Sequence, residues 1–157
     1  MAVDDKQSGH GTILLVEDDP ADAQLLMRAL QRAGVKNPIK HLPRGDTALG
    51  YLEGVNPYSD RTLHPLPILM ILDLKLPGMS GLELLRWIRQ QRHLRRIPVL
   101  VLTSETDDAF LGAAYDAGAN SYLLKSFDPA EIDRAVNLIV NYWLSLNESP
   151  MVVSPTP

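Results

Sequence analysis

Thr12-Ile13-Leu14-Leu15-Val16-Glu17-Asp18-Asp19-Pro20 is an apolar run of strand length that ends in three consecutive acids, and Ile68-Leu69-Met70-Ile71-Leu72-Asp73 is a second run of the same kind. A strand buried on both faces reads as a continuous apolar stretch, as in parallel sheets covered by helices. Open parallel sheets bind ligands beyond the carboxyl ends of their strands, and both runs deliver carboxylates to that edge. Clustered carboxylates repel one another and draw protons or a hard cation such as Mg²⁺. The two runs together predict a sheet that holds a metal beside one aspartate.

Outward from these runs, strand-like and helical patterns alternate. Asp19-Pro20 reads as a helix cap followed by the first helical residue, Ala23, Leu26, Leu30 and Ala33 form one apolar stripe, and Gly34 is a stop. A weak strand follows at 39–42, then a short helix at 47–52 with Asp46 as its cap. Residues 53–67, with Pro57, Pro65 and Pro67, form a connection longer than is usual in an α/β domain. Strand 68–72, turn chemistry at 75–81, a helix carrying Leu84, Leu85 and Ile88, strand 99–102, a helix at 107–117 and strand 121–124 complete the alternation. Asp128-Pro129-Ala130-Glu131 reads as a capping box opening the last helix. Five strands alternating with five helices predict an α/β fold, a doubly wound five-stranded parallel sheet with right-handed crossovers.

The chain has 157 residues, 45% of them apolar, and a formal charge of -4. That suits one domain with a sizeable core, placed at 12–146, with a flexible segment at 1–11 and a flexible Pro/Ser-rich tail at 147–157. No basic block appears, which argues against nucleic-acid binding. There is no cysteine, which excludes disulfides and thiol chemistry and fits a reducing cytoplasm. No apolar run approaches the roughly 18 residues of a membrane helix, and residues 1–11 lack a signal-peptide core.

The strand ends carry Glu17, Asp18 and Asp19, then Asp73, then Thr103 and Ser104, then Lys125, all on one sheet edge. In this order, with Asp73 inside Leu72-Asp73-Leu74-Lys75-Leu76-Pro77-Gly78-Met79-Ser80-Gly81 and with Tyr122 before Lys125, the set resembles the receiver domain of two-component response regulators. The resemblance covers about residues 11–145. It implies a flavodoxin-like (βα)5 fold and a phosphoryl group accepted on Asp73 from a sensor histidine kinase, a signalling protein rather than an enzyme of turnover. It also implies Mg²⁺, or Mn²⁺, held by Asp18, by Asp73, by the backbone carbonyl of Lys75 and by Glu17 through a water. Thr103 and Lys125 would bind phosphoryl oxygens, and Thr103 and Tyr122 would switch the surface of the fourth helix, fifth strand and fifth helix. The phosphoryl group adds roughly 1.5 to 2 negative charges to drive such a switch. The long loop, Asp19-Pro20-Ala21-Asp22 and Tyr142-Trp143-Leu144 further resemble the small response regulators of bacterial phytochrome kinases, which implies a phytochrome as phosphodonor.

Singly, these residues have plainer readings. Asp19 is a helix cap before it is a ligand. Thr103 alone is a β-former, Lys125 surface charge and Tyr122 a strand aromatic. His10, His41, His64 and His93 lack ligand spacing and read as surface or loop residues. Ser126 stands where the receiver family usually has proline, often after a cis bond; a non-proline cis bond costs about 2.5–4 kcal/mol more than trans, so the sequence leaves the conformation of the Lys125–Ser126 bond open, and with it the position of Lys125. On the last helix Ile132, Ala135, Val136, Ile139 and Trp143 face the core, whereas Leu138, Tyr142, Leu144 and Leu146 add apolar surface that marks an interface, expected to be a homodimer through the fourth helix, fifth strand and fifth helix, unless the long loop or the tail covers it. No effector domain follows, so such a receiver would act through a partner or its own dimer.

Three rivals are weighed. A haloacid-dehalogenase phosphatase would carry an acid two residues after its nucleophile, where Lys75 stands. An FMN-binding flavodoxin would have Ser, Thr and Gly after its first strand, where Glu17-Asp18-Asp19 stands. A docking-only receiver would not keep the full acid, Thr103 and Lys125 set.

Overall fold

In the computed structural model, which describes residues 10–150, β1 (Ile13–Val16), β2 (Ile39–Leu42), β3 (Leu69–Leu72), β4 (Val99–Thr103) and β5 (Ser121–Leu124) alternate with α1 (Pro20–Arg32), α2 (Gly45–Glu53), α3 (Gly81–Gln90), α4 (Asp108–Asp116) and α5 (Pro129–Asn141). The strands form one parallel sheet in the order β2-β1-β3-β4-β5. The expected alternation and fold class hold. The flexible ends expected at 1–11 and 147–157 lie, for residues 1–9 and 151–157, outside the described residues.

The period of two along each strand splits the core into two layers. Ile13, Leu15 and Ile71 pack against Ala23, Leu26, Ala29 and Leu30 of α1 and Val136 of α5. Leu14, Val16, Met70 and Leu72 face the other way, onto Tyr51 and Leu52 of α2 and Leu84, Leu85 and Ile88 of α3. Central strands buried on both sides therefore need the unbroken apolar runs from which they were read.

Local chemistry sets the helix starts. Asp19 Oδ1 accepts from the Ala21 and Asp22 amides at 2.8 and 3.2 Å, with Pro20 next in line; the cap reading of Asp19 holds. Two expected caps differ. Asp46 does not cap α2, which begins at Gly45 with Arg44 in the cap position; the Arg44 guanidinium takes the Asp46 carboxylate at 2.9 and 3.0 Å. Only half of the box at 128–131 forms. Asp128 accepts from the Ala130 amide, but the Glu131 carboxylate accepts from the Ser126 hydroxyl at 2.5 Å instead of reaching back to its cap. The complete capping box is Ser80 with Glu83 on α3, in the stretch read only as a turn.

Residues 53–67 are ordered by one arginine. The Arg61 guanidinium donates to the carbonyls of Tyr51, Leu52 and His64 at 2.7, 2.7 and 3.1 Å, and the Tyr51 hydroxyl donates to the Pro65 carbonyl. His64 packs edge-on to Tyr51 and Tyr58. The loop thus closes over the end of α2, and among the described residues α5 keeps an exposed apolar face; the cover expected from the tail falls, beyond residue 150, outside the described residues. His41 also departs from the surface reading: it lies half-buried within β2, and its Nε2–H donates to the Glu17 carbonyl at 2.7 Å. After α5 the chain makes a wider π-helical turn, Tyr142–Leu146, closed by the Asn147 amide on the Tyr142 carbonyl.

Candidate functional site

Strand register assembles the site before any side chain is considered. Val16 pairs with Leu72 across β1 and β3, so Glu17 and Asp73 leave the sheet side by side, and the Asp73 amide donates to the Val16 carbonyl at 3.0 Å. Thr103 pairs with Leu124 across β4 and β5, and the Lys125 amide donates to the Thr103 carbonyl at 2.9 Å. The junction of β1 and β3 is also where the strand order reverses, the usual crevice of a doubly wound sheet.

Three acids converge there. Glu17, Asp18 and Asp73 each offer a carboxylate oxygen within 4.8 Å of the others; Glu17 and Asp73 are buried and Asp18 is exposed. Like charges so close need a proton or a cation between them. One cation is supplied by the chain. Lys125 Nζ lies 2.8 Å from Asp73 Oδ2, 2.9 Å from Glu17 Oε2 and 3.0 Å from Asp22 Oδ2.

The electrostatics follow from burial and these contacts. Burial pushes the Glu17 carboxyl up to about 7, with the Lys125 hydrogen bond opposing and the Asp73 charge reinforcing the rise. Burial pulls the Lys125 ammonium down, but hydrogen bonds to Asp73, Glu17 and Asp22 outweigh it and raise it above its usual range. Set against four carboxylates, Lys125 leaves the site negative. An all-oxygen donor set of this charge fits a hard divalent cation.

The remaining expected residues flank this cluster. Thr103 is fully buried as the last residue of β4, which runs one residue longer than the expected 99–102, and its Oγ1 accepts weakly from the Glu105 amide at 3.4 Å. The Tyr122 hydroxyl donates to the Glu105 carbonyl at 2.8 Å, and its ring packs against the cluster of Leu74, Val101 and Ala114. The Lys75 amide donates to Asp73 Oδ1 at 3.3 Å, whereas its ammonium turns outward to the Glu105 carboxylate. The Lys125–Ser126 bond is trans, and the Ser126 hydroxyl shapes the following loop through Glu131 and the Asp128 amide.

Two neighbours of the site went unassigned in the sequence. Asp22 is one turn beyond the first strand's acids, and its signal is that spacing, three residues after the cap Asp19. Glu105, two residues after Thr103, has no local signal.

Of the four expected interface residues, Leu138, Tyr142 and Leu146 are exposed. Leu144 is not available in the same way: it packs inward against the clusters around Val136 and Ile139. The apolar face is nevertheless wider than the four residues, because Leu111 and Tyr115 of α4, Leu124 of β5 and Phe127 are also exposed.

Comparison with known proteins places these observations. A family described as the response regulator receiver domain matches residues 13–137. The probable methanogenesis regulatory protein FilR2 of Methanothrix harundinacea is 44% identical over 138 residues, 88% of this chain and 86% of that protein. Response regulator Rcp1 of Synechocystis is 34% identical over 140 residues, 89% of this chain and 93% of that protein. The crystal structure of its Mn²⁺-bound form superposes with a TM-score of 0.82, covering 90% of this chain and 99% of that one. The phosphorylated cyanobacterial phytochrome response regulator RcpA superposes with a TM-score of 0.84 at 33% identity, again over 90% and 99%.

Proposed function

This chain belongs to the response regulator receiver family, and from that membership we propose that it accepts a phosphoryl group on Asp73 from a sensor histidine kinase, in a reaction that needs Mg²⁺ and in which Mn²⁺ also serves. The observation that carries the reading is the buried Asp73 carboxylate held at 2.8 Å from Lys125 Nζ, within a cluster of acids. An Asp73 oxygen attacks phosphorus, a carboxylate–phosphorus bond forms, and the bond to the donor imidazole nitrogen breaks with its electron pair left on that nitrogen. Lys125 donates to phosphoryl oxygens, as does the Thr103 hydroxyl beside it. Glu17, Asp18, Asp73 and the Lys75 carbonyl are the oxygen donors that would hold the metal. When bound, the cation neutralises the charge that keeps a carboxylate and a phosphoryl group apart.

The signal leaves through Thr103 and Tyr122. Both are tied to Glu105, one through its amide and one through its carbonyl, so a shift of Thr103 toward a phosphoryl group pulls on the segment that Tyr122 holds. The face beyond it, α4, β5 and α5 with Leu111, Tyr115, Leu124, Leu138 and Tyr142 exposed, is the output surface and the contact of a homodimer. Among the described residues no helix is long and apolar enough to cross a membrane, and we place the protein in the cytoplasm with no nucleic-acid partner.

We assign the donor to the phytochrome class on the likeness to RcpA. A second reading has its own support, since FilR2, at 44% identity, is named for methanogenesis. Phosphotransfer from purified kinases of the two kinds separates them by initial rate. Neither rival activity gains support: Lys75 turns to Glu105 and offers no carboxyl acid/base, and docking alone needs no buried Lys125.

Intact mass after incubation with acetyl phosphate tests the core reading. Wild type should gain one phosphoryl group only with Mg²⁺, and Asp73→Asn none. A wild type that neither gains mass nor retains beryllofluoride would overturn it.

A further inference from the structure

Asp22 is the partner of Lys125 that the acceptor chemistry leaves unused. Its Oδ2 lies 3.0 Å from Lys125 Nζ, the same distance as Glu17 Oε1. An ammonium has three protons to donate, and Glu17, Asp22 and Asp73 take all three. Glu17 and Asp73 belong to the group of carboxylates close enough to share a cation, and Asp22 does not. The Asp22 backbone is held in the first turn of α1, where its amide donates to Asp19 Oδ1, so its carboxylate reaches Lys125 from the helix and not from a strand end.

We propose that Asp22 is a positioning residue that holds the Lys125 ammonium toward α1 and competes with the incoming phosphoryl group for it. The inference rests on the reading of Asp73 as acceptor. A phosphoryl oxygen can gain a charge-assisted hydrogen bond from Lys125 only by sharing or displacing one that a carboxylate already holds. Neutralising Asp22 leaves Lys125 freer to turn to the phosphoryl group, so a phosphoryl mimic should bind more tightly. The plainer role of Asp22, an acid that stabilises the start of a helix, predicts no such gain.

The test is the affinity of the purified full chain for beryllofluoride at saturating Mg²⁺, in wild type, Asp22→Asn and Asp19→Ser. Asp19→Ser removes one charge from the same helix start, keeps a capping side chain and does not touch Lys125. Asp22→Asn should bind about three- to tenfold more tightly, on the scale of the difference between a charge-assisted and a neutral hydrogen bond, and Asp19→Ser should stay within about twofold of wild type. Equal affinity of wild type and Asp22→Asn would overturn the proposal. So would an equal gain in Asp19→Ser, because the field of a nearby charge would then suffice. A wild type that binds no beryllofluoride would overturn the acceptor reading and this inference with it, whereas binding by wild type with no change in Asp22→Asn removes the inference alone. If Asp22→Asn melts well below wild type, Asp22→Ser is measured against the same outcomes.

Discussion

Gly81 lies directly behind Asp73: a Cβ on it would fall 2.1 Å from the Asp73 carbonyl oxygen and 2.7 Å from Leu74 Cα. Both obstacles are backbone, and the Gly81 amide donates to the Leu74 carbonyl at 2.9 Å, so neither side can give way cheaply. The start of α3 is thereby pressed against the loop that carries Asp73. Gly81→Ala should lower stability by about 1–3 kcal/mol, the usual cost of overpacking, and also weaken Mg²⁺ binding by displacing Asp73. Urea denaturation and a metal titration on the same sample check this. An alanine variant as stable and as tight as wild type would mean that α3 lifts away freely.

Lys125 has a side chain only 12% exposed and three carboxylates within 3.0 Å. Breaking a buried charge pair by removing one partner costs roughly 3–5 kcal/mol, because the other charges remain buried. Lys125→Met should lose stability on that order in EDTA and, on the proposal that Mg²⁺ binds the folded acids, recover part of it in Mg²⁺. The check is a pair of urea titrations, with and without the metal. A loss that Mg²⁺ does not reduce would show that the acids do not hold the ion.

Glu17 sets a pH dependence. Its folded value of about 7 lies above its usual 4.5, so the folded state keeps a proton that the unfolded chain releases. Its contribution to metal-free stability is fully present below pH 4.5 and is lost as the pH rises through about 7. Mg²⁺ binding runs in the opposite direction, because the ion needs the carboxylate. Affinity should rise by up to about tenfold per pH unit below 7 and level off above it, and Glu17→Gln should flatten the curve. Calorimetric titrations between pH 5.5 and 8.5, in buffers of different ionisation enthalpy, read both the affinity and the released proton. Equal affinity across that range would remove the buried, protonated Glu17.

The sheet and its acidic edge were legible because their causes are local. Ile13–Val16 and Leu69–Leu72 must be apolar on both sides, and Asp19-Pro20 and Asp128-Pro129 start helices through contacts within three residues. The misreadings have other causes. The Asp46 carboxylate is drawn to the Arg44 guanidinium and the Glu131 carboxylate to the Ser126 hydroxyl, side-chain pairs that compete with capping. The long loop owes its order to one guanidinium reaching three carbonyls, and His41 is fixed by a carbonyl 24 residues away. Asp22 meets Lys125 across 103 residues, a meeting that depends on the register of the sheet and the pitch of α1 together. Leu144 continues the inward stripe of Val136 and Val140 at intervals of four residues, so its inward place was already carried by the spacing.

The exposed face of α4, β5 and α5 supplies the last prediction. Leu138 and Tyr142 are four residues apart, on one side of the helical run, and are 65% and 51% exposed. Leu124 and Phe127 continue the apolar surface onto β5 and the loop after it, 53% and 80% exposed. If two copies meet here, a charge at the centre must be buried unpaired on association, which costs several kcal/mol. Leu138→Glu or Tyr142→Glu should therefore weaken the dimer at least about a hundredfold. Leu63→Glu is the control, since Leu63 is 72% exposed but sits in the long loop that packs near α2; it should change nothing. Sedimentation equilibrium over a wide concentration range distinguishes the outcomes. A dimer that survives both the Leu138 and the Tyr142 substitution assembles through another surface, and a chain that stays monomeric at high concentration leaves this apolar face to the output partner.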